Sequence, residues 1–304
     1  MSAASVNNGF EVRGELRFAE SMARHTSWRA GGNAAIFFTP VDQADLIEFV
    51  VQLEPDMDVL WLGLGSNLLV RDAGYDGAVI DTRKALAMLE LNSQGLLYAG
   101  AGVPGAKLAR FAVANGFAGA EFFAGIPGTI GGALAMNAGA WGGETWQYVR
   151  HLETLNRHGQ VRTRTSEDYK VGYRSVSGPE DWFLGAEFNF EKAPAGFDGV
   201  LEIKSMLAQR GASQPIQSAN AGCVFRNPEE GFAAALIEGC GLKGAQKGGA
   251  EIAEKHANFI INNGGASAAD IEFLIDLAQK KVIEKMGISL QTEVQIIGDK
   301  NDEP

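Results

Sequence analysis

The sequence predicts an α+β protein of two or three domains. Three observations predict it. Apolar strand-like runs are mixed with well-separated helical stripes, and the last third carries its own helix-then-strand pattern. The length of 304 residues, 46% of them hydrophobic, is enough for a large core and more than one domain.

The elements follow in order. The segment from Met1 to about Glu15 reads as loose. Strand character begins near Ala34–Phe38. A helix then starts at Asp42 as N-cap, with Asp45 in its first turn. Leu46, Phe49, Val50 and Leu53 share one face, and Pro55 stops it. Val59–Leu62 is a short apolar strand running into Gly63-Leu-Gly-Ser-Asn67, and strand character returns at Ala78–Ile80. A second helix is expected over Pro104–Asn115, with Pro104 near its first position and Gly116 as its stop. From Phe122 to Gly143 no residue is charged, a length that suits a membrane span. Seven glycines with Pro127 and Asn137 instead predict a packed glycine-rich turn system. Leu184–Phe190 alternates like a strand, and Lys192–Gly199 reads as a linker. The clearest helix starts at Ser267, where Asp270 completes a capping box. Ile271, Leu274, Ile275, Ala278, Val282 and Ile283 form its stripe, and Gly287 ends it. In the strand that follows, Ile288, Leu290, Thr292, Val294 and Ile296 share a face opposite Ser289, Gln291, Glu293 and Gln295.

Composition excludes several functions. The net charge is −11 and the pI about 4.9, with no Lys/Arg stripe of the kind a nucleic-acid surface needs. The two cysteines, Cys223 and Cys240, form neither a disulfide framework nor a CxxC pair, and the four histidines lack metal-ligand spacing. The polar N-terminus has no apolar signal core, so a cytoplasmic protein without membrane insertion is expected.

Several segments have the chemistry of a site. Gly63–Asn67 follows a strand directly, as a backbone cradle for pyrophosphate would, or as an ordinary tight turn would. It lacks the third glycine of a dinucleotide fingerprint. The run Gly125-Ile-Pro-Gly-Thr-Ile-Gly-Gly132 with Met136-Asn-Ala-Gly139 implies close approach of backbone to something bulky, ligand or protein. Arg174, in Tyr173-Arg-Ser175, offers a planar fork suited to a carboxylate. Cys223 is flanked by small residues that leave room for a ligand, whereas Cys240 fits a buried apolar role. Glu293 lies on the polar strand face, and His256 fits a structural role as well as a contact.

Taken in order, these motifs resemble one family. Thr26-Ser-Trp-Arg-Ala-Gly-Gly32, Gly63-Leu-Gly-Ser-Asn-Leu-Leu-Val70, the Gly125–Gly139 segment, Tyr173-Arg-Ser175, Asn220-Ala-Gly-Cys-Val-Phe-Arg-Asn-Pro228 and Glu293-Val294 closely resemble the MurB family. These are the UDP-N-acetylenolpyruvoylglucosamine reductases of peptidoglycan synthesis. The likeness runs from His25 to Gly298, and the short chain is similar to the compact, type II members.

The resemblance implies a two-part FAD-binding domain of the vanillyl-alcohol-oxidase (PCMH) type and a C-terminal α+β substrate domain. The expected parts are residues 1–82, rejoined by the final strand 291–299, then 83–195, and a substrate domain over 200–290. FAD, held non-covalently, would lie against Gly63, Leu64, Gly65, Ser66 and Asn67. It would also lie against Gly125, Ile126, Pro127, Gly128, Thr129, Gly131, Gly132, Asn137, Ala138 and Gly139. Arg174, Cys223 and Glu293 fall on the three catalytic positions, with cysteine where many members carry serine. Tyr173 and Asn227 match substrate-binding positions, and Arg210 is offered for a lysine that has no clear counterpart. The implied activity is NADPH-dependent reduction of UDP-N-acetylglucosamine enolpyruvate to UDP-N-acetylmuramate, with the UDP-sugar enolpyruvate and NADPH as small-molecule partners. A related FAD-dependent alcohol or sugar oxidase leaves the Tyr-Arg-Ser and Ala-Gly-Cys segments unexplained. A non-catalytic nucleotide-sugar binder predicts colourless protein where the reductase predicts yellow.

Overall fold

The computed structural model describes residues 5–7 and 9–299. The chain divides into two compact units. The first comprises the residues up to Phe18, Ile36–Gly63 and Gly77–Ala208; the second comprises Ala19–Ala35, Leu64–Asp76 and everything from Gln209 on.

One core of the first unit forms under helix α1 (Gln43–Gln52). The Asp42 carboxylate accepts the Asp45 N–H at 2.9 Å, as the cap pattern predicts. Leu46, Phe49 and Val50 on its inner face meet Ile36, Phe38, Ala78 and Ile80 from the neighbouring sheet. In that sheet Asn33–Thr39 lies between Glu15–Ser21 and Tyr75–Asp81, and Val59–Leu62 runs parallel to Ala78–Asp81 at the edge. The segment expected to be loose is partly ordered: Phe10–Val12 is a strand paired with Ser5–Asn7, and Val12 is buried. Residues 1–4 and 8 of that expectation lie outside the described residues.

The other core of the first unit lies on an antiparallel sheet of five strands. Their order is Val161–Thr165, Val149–Leu155, Trp182–Phe188, Leu97–Gly100, Leu89–Leu91. Alternation sends Leu97, Ala99, Leu152, Ala186 and Phe188 to one face. Helix α2 (Gly105–Ala114) and helix α3 (Ile130–Met136) cover it with Leu108, Ala109, Ile130 and Leu134. The opposite face is polar: Tyr98 donates to Glu153 at 2.9 Å, and His151 pairs with Glu187 at 2.8 Å. α3 corrects the expectation that the glycine segment holds only turns. Its buried row, Ile130, Ala133 and Leu134, spans little more than one turn, so no periodicity marked it. It ends where Asn137 turns left-handed, at φ +48°.

Helix α4 (Gly199–Ser213) follows the expected linker. The second unit's own core contains Ile237 from helix α5 (Ala233–Gly239) and Ile271, Leu274, Ile275, Ala278 and Val282 from helix α6 (Ala268–Met286). Both capping-box bonds at Ser267 and Asp270 are present, and Gly287 closes α6 at φ +71°. Ile283 is a correction to the stripe: it is 52% exposed, because one position past Val282 rotates it off the packed face. The final strand is shorter than expected, Gln295–Ile297, and pairs parallel with Leu68–Val70. Before it, Thr292 bridges to Phe225, and the Glu293 and Val294 N–H groups both point to one carbonyl, that of Val224, which breaks the regular ladder. Among the described residues no helix is long and apolar enough to cross a membrane.

Candidate active site

In the first unit, Gly63 ends the strand Val59–Leu62 and touches the glycine segment. A Cβ on Gly63 would lie 2.3 Å from Thr129 Oγ1, so only glycine lets the two come together. Thr129 is buried, and its carbonyl accepts the Ala133 N–H at 2.9 Å. The Ile130 and Gly131 N–H groups are taken by Val103 and Ala101, each at 2.8 Å. Gly132 is different. It is exposed, and a Cβ there would meet nothing within 4 Å. The segment therefore combines a fixed backbone with open space at its first helical turn. Ile126 and Gly128 are half-buried beside it, Pro127 is exposed, and Ala138 is buried.

Asn137 is the brace of this segment. It is 1% exposed; its amide donates to Glu144 Oε2 at 3.0 Å and the Gly172 carbonyl at 3.1 Å, and its oxygen accepts the Trp146 N–H at 3.1 Å. Tyr173 and Arg174 form the two-residue turn of a hairpin whose strands, Lys170–Gly172 and Ser175–Ser177, pair from Gly172 to Ser175. Arg174 occupies the left-handed region at φ +51°, a costly place for a residue with a Cβ. Its guanidinium donates to the Gly139 carbonyl at 2.6 Å and the Asn137 carbonyl at 3.3 Å, and lies 5.1 Å over the Tyr173 ring. Arg174 is thus held against the glycine segment.

The second unit gathers three other motifs. Gly65 sits at φ +60°, and a Cβ there would lie 2.1 Å from the His25 carbonyl. Its own carbonyl accepts the Ser27 N–H at 3.0 Å, which ties the Thr26–Gly32 motif to this turn. Leu64 is exposed and Ser66 half-buried. The Asn67 amide donates to the Glu293 carbonyl at 3.0 Å, and the Asn67 carbonyl accepts the Gln295 N–H at 3.0 Å. The Val224 carbonyl accepts the Glu293 N–H at 2.7 Å. Cys223, half-buried, is one peptide away. Asn67 and Val224, the residue after Cys223, therefore both bond the Glu293 backbone, while Arg174 belongs to the first unit.

The remaining candidates divide. Arg210 on α4 donates to Gln214 at 2.9 Å; burial pulls its guanidinium below the ordinary value, and nearby Cys223 opposes that shift. Asn227 is exposed, and its side-chain oxygen accepts the Ala233 N–H at 3.1 Å at the start of α5. Cys240 is buried against α6, with its thiol 3.5 Å from the Lys281 carbonyl. His256 packs edge-on against Phe259, and burial lowers its pKa. Sequence reasoning passed over the bracing work of Asn258, a buried residue whose amide bonds both the N–H and the carbonyl of Phe225. A polar side chain amid the apolar run Ala257–Ile261 was the available signal.

A family model described as "UDP-N-acetylenolpyruvoylglucosamine reductase, C-terminal domain" matches residues 214–297. One described as "FAD binding domain" matches residues 34–165. The chain is 51% identical over 287 residues to the UDP-N-acetylenolpyruvoylglucosamine reductase of Alkalilimnicola ehrlichii, covering 94% of this chain and 96% of that one. The chain belongs to the UDP-N-acetylenolpyruvoylglucosamine reductase family. The reductase of Methylococcus capsulatus is likewise 51% identical over 289 residues, covering 94% of each chain. The crystal structure of MurB from Thermus caldophilus superposes with a TM-score of 0.78 at 29% identity, over 93% of this chain and 98% of that one. Membership makes the protein an oxidoreductase. The fold class is the expected one, α+β, with an FAD-binding domain and a C-terminal domain of the MurB type.

Proposed function

We propose that this chain reduces UDP-N-acetylglucosamine enolpyruvate to UDP-N-acetylmuramate, with FAD bound by its glycine loops and NADPH as the hydride source. The observation that carries the reading is the junction at Val224, whose carbonyl accepts the Glu293 N–H one peptide from Cys223. It supports a thiol and a carboxyl group working together on one substrate. The backbone suits a flavin dinucleotide. Gly63 and Gly65 fix the loop backbone by packing against Thr129 and the His25 carbonyl, and the space at Gly132 is open to a ligand.

FAD would be held by the Gly63–Asn67 and Gly125–Gly139 loops, where it would supply the hydride chemistry between NADPH and the vinyl carbon of the enolpyruvyl ether. The chain's own residues manage the charge and the proton that this leaves. Arg174 balances the negative charge that spreads onto the substrate carboxylate, where preorganised donors act most strongly. Glu293 stabilises the enolate only as a protonated acid; ionised, it would repel the enolate, and its role is then to orient another group. Cys223 gives its proton to the adjoining carbon, completing the lactyl ether, and regains it from solvent. An unperturbed thiol, with pKa about 8.5, carries that proton at neutral pH. Tyr173, Arg210 and Asn227 contact the substrate, which reaches its product within a chain divided as 1–82 with 291–299, 83–195 and 200–290.

Anaerobic stopped-flow absorbance tests the reading. NADPH should bleach yellow protein, and the enolpyruvyl nucleotide should restore its colour. Cys223→Ala should keep the bleaching step and slow recovery by about 10²–10⁴-fold, whereas Cys223→Ser should keep substantial activity. Normal recovery in the alanine variant removes Cys223 as donor. Colourless protein, or steady oxygen uptake with a simple alcohol, defeats the reductase reading.

A further inference from the structure

We propose that Asn258 is a positioning residue for the reaction, a clamp that sets the Cys223 thiol in register with Glu293. The inference rests on the roles of Cys223 and Glu293 given above. Asn258 is 3% exposed. Its carbonyl accepts the Val224 N–H at 2.9 Å, its side-chain oxygen accepts the Phe225 N–H at 2.9 Å, and its amide donates to the Phe225 carbonyl at 2.8 Å. One residue thus imitates a neighbouring strand for the two residues that follow Cys223. On the other side, the Val224 carbonyl accepts from Glu293 at 2.7 Å and Val294 at 3.3 Å, and Phe225 bridges Thr292. Val224 is therefore bonded from both sides, by Asn258 and by the Glu293 segment.

The packing of this joint leaves little play. Val224 and Phe225 are 0% and 2% exposed, so their side chains are enclosed. Cys223 precedes them on the half-buried side of the joint, after Gly222 at φ +75°. Before Cys223 the Gly222 N–H is held by the Asn220 side chain at 2.9 Å, and after it the clamp holds Val224 and Phe225, so a shift of the clamp carries the thiol with it. Proton transfer needs donor and acceptor within about 2.6–3.2 Å, and a misplacement near 1 Å costs on the order of 10²-fold. Without the Asn258 side chain, the Phe225 N–H and carbonyl lose their partners, and the segment must shift to satisfy them.

The experiment compares Asn258→Ala with the parent holoenzyme. Expected are bleaching by NADPH within about twofold of the parent, and substrate affinity, from flavin spectral shifts, within about threefold. Colour recovery at saturating substrate should slow by about 10²-fold. Cys223 should also be alkylated faster by iodoacetamide, read by mass spectrometry, with Cys240 unchanged; this readout needs no turnover. Should Asn258→Ala lose flavin, Asn258→Asp, which keeps the acceptor oxygen, takes its place with the same expected split. Normal recovery, a parallel loss of both half-reactions, or loss of flavin by both variants overturns the inference. If Cys223→Ala recovers colour normally, the underlying reading fails instead. If Cys223→Ala is slow and Asn258→Ala is normal, only the clamp fails.

Discussion

At the scale of single residues, the glycines separate structural need from ligand need. At Gly65 both backbone and neighbours forbid a side chain: φ is +60° and a Cβ would overlap the His25 carbonyl. The strain of a left-handed alanine alone is about 1–2 kcal/mol. Gly65→Ala should therefore lower thermal stability as well as flavin content. Gly132 is the contrast, since its Cβ would enter open space at the first turn of α3. Gly132→Ala should leave the fold as stable or raise it by up to about 1 kcal/mol, yet purify with less flavin because the methyl occupies the ligand's space. Calorimetry and the ratio of visible to ultraviolet absorbance separate the two effects. Full flavin content in Gly132→Ala would remove this position from the cradle. The bond between the Glu293 N–H and the carbonyl of Val224, the residue after Cys223, was not legible residue by residue. It joins two backbone groups, which leave no side-chain pattern to read.

At the scale of elements, a capped or proline-marked start made α1, α2 and α6 legible, whereas α4 was not, although the Asp198 side chain accepts the Leu201 N–H at its start at 3.0 Å. α1, α2 and α6 carry an N-cap, a proline or a glycine stop, and each begins within a residue of its signal. α3 is only seven residues long, and its buried row of Ile130, Ala133 and Leu134 is too short to stand out as a stripe. In α4, Val200 and Leu201 are 54% and 63% exposed, so its apolar residues do not trace one buried face. The strands Val149–Leu155 and Val161–Thr165 were hidden by arginine, histidine and glutamate on their polar face, where the carboxylates find partners such as Tyr98 and His151. Burial and Glu153 raise the Tyr98 pKa, so its phenol stays a neutral donor there. The α6 cap allows a direct measurement. The Ser267 hydroxyl accepts the Asp270 N–H at 3.0 Å and the Asp270 carboxylate accepts the Ser267 N–H at 3.0 Å. Ser267→Ala removes the first bond, and urea denaturation should show a loss of about 1 kcal/mol with an unchanged slope. No loss would mean that α6 begins without help from its cap.

At the scale of the whole molecule, each unit is assembled from segments far apart in sequence. The second unit draws on Ala19–Ala35 and Leu64–Asp76 as well as on the chain from Gln209, and these early pieces hold its core together. Trp28 is fully buried among residues such as Ile260 and Ala257. Its indole N–H donates to the Ile260 carbonyl at 2.7 Å, and Asn262 donates back to the Trp28 carbonyl at 2.8 Å. Leu68–Val70 pairs with the final strand, Arg71 grips Glu272 on α6 through three bonds of 3.0 to 3.2 Å, and the Asp72 carboxylate accepts the Ala268 and Ala269 N–H groups at 2.9 and 2.8 Å. A fragment of residues 209–304 would contain the whole of the matched C-terminal domain, 214–297. It would lack that tryptophan, the partner strand and the anion at the start of α6. Truncating a buried tryptophan alone costs about 3–5 kcal/mol, a large share of the roughly 5–15 kcal/mol that stabilises a domain. The fragment should therefore show no cooperative thermal transition by circular dichroism, and Trp28→Ala in the full chain should lower the melting temperature sharply. A sharp transition in the fragment would mean that the late segment folds on its own, and that the early segments add to a core already complete.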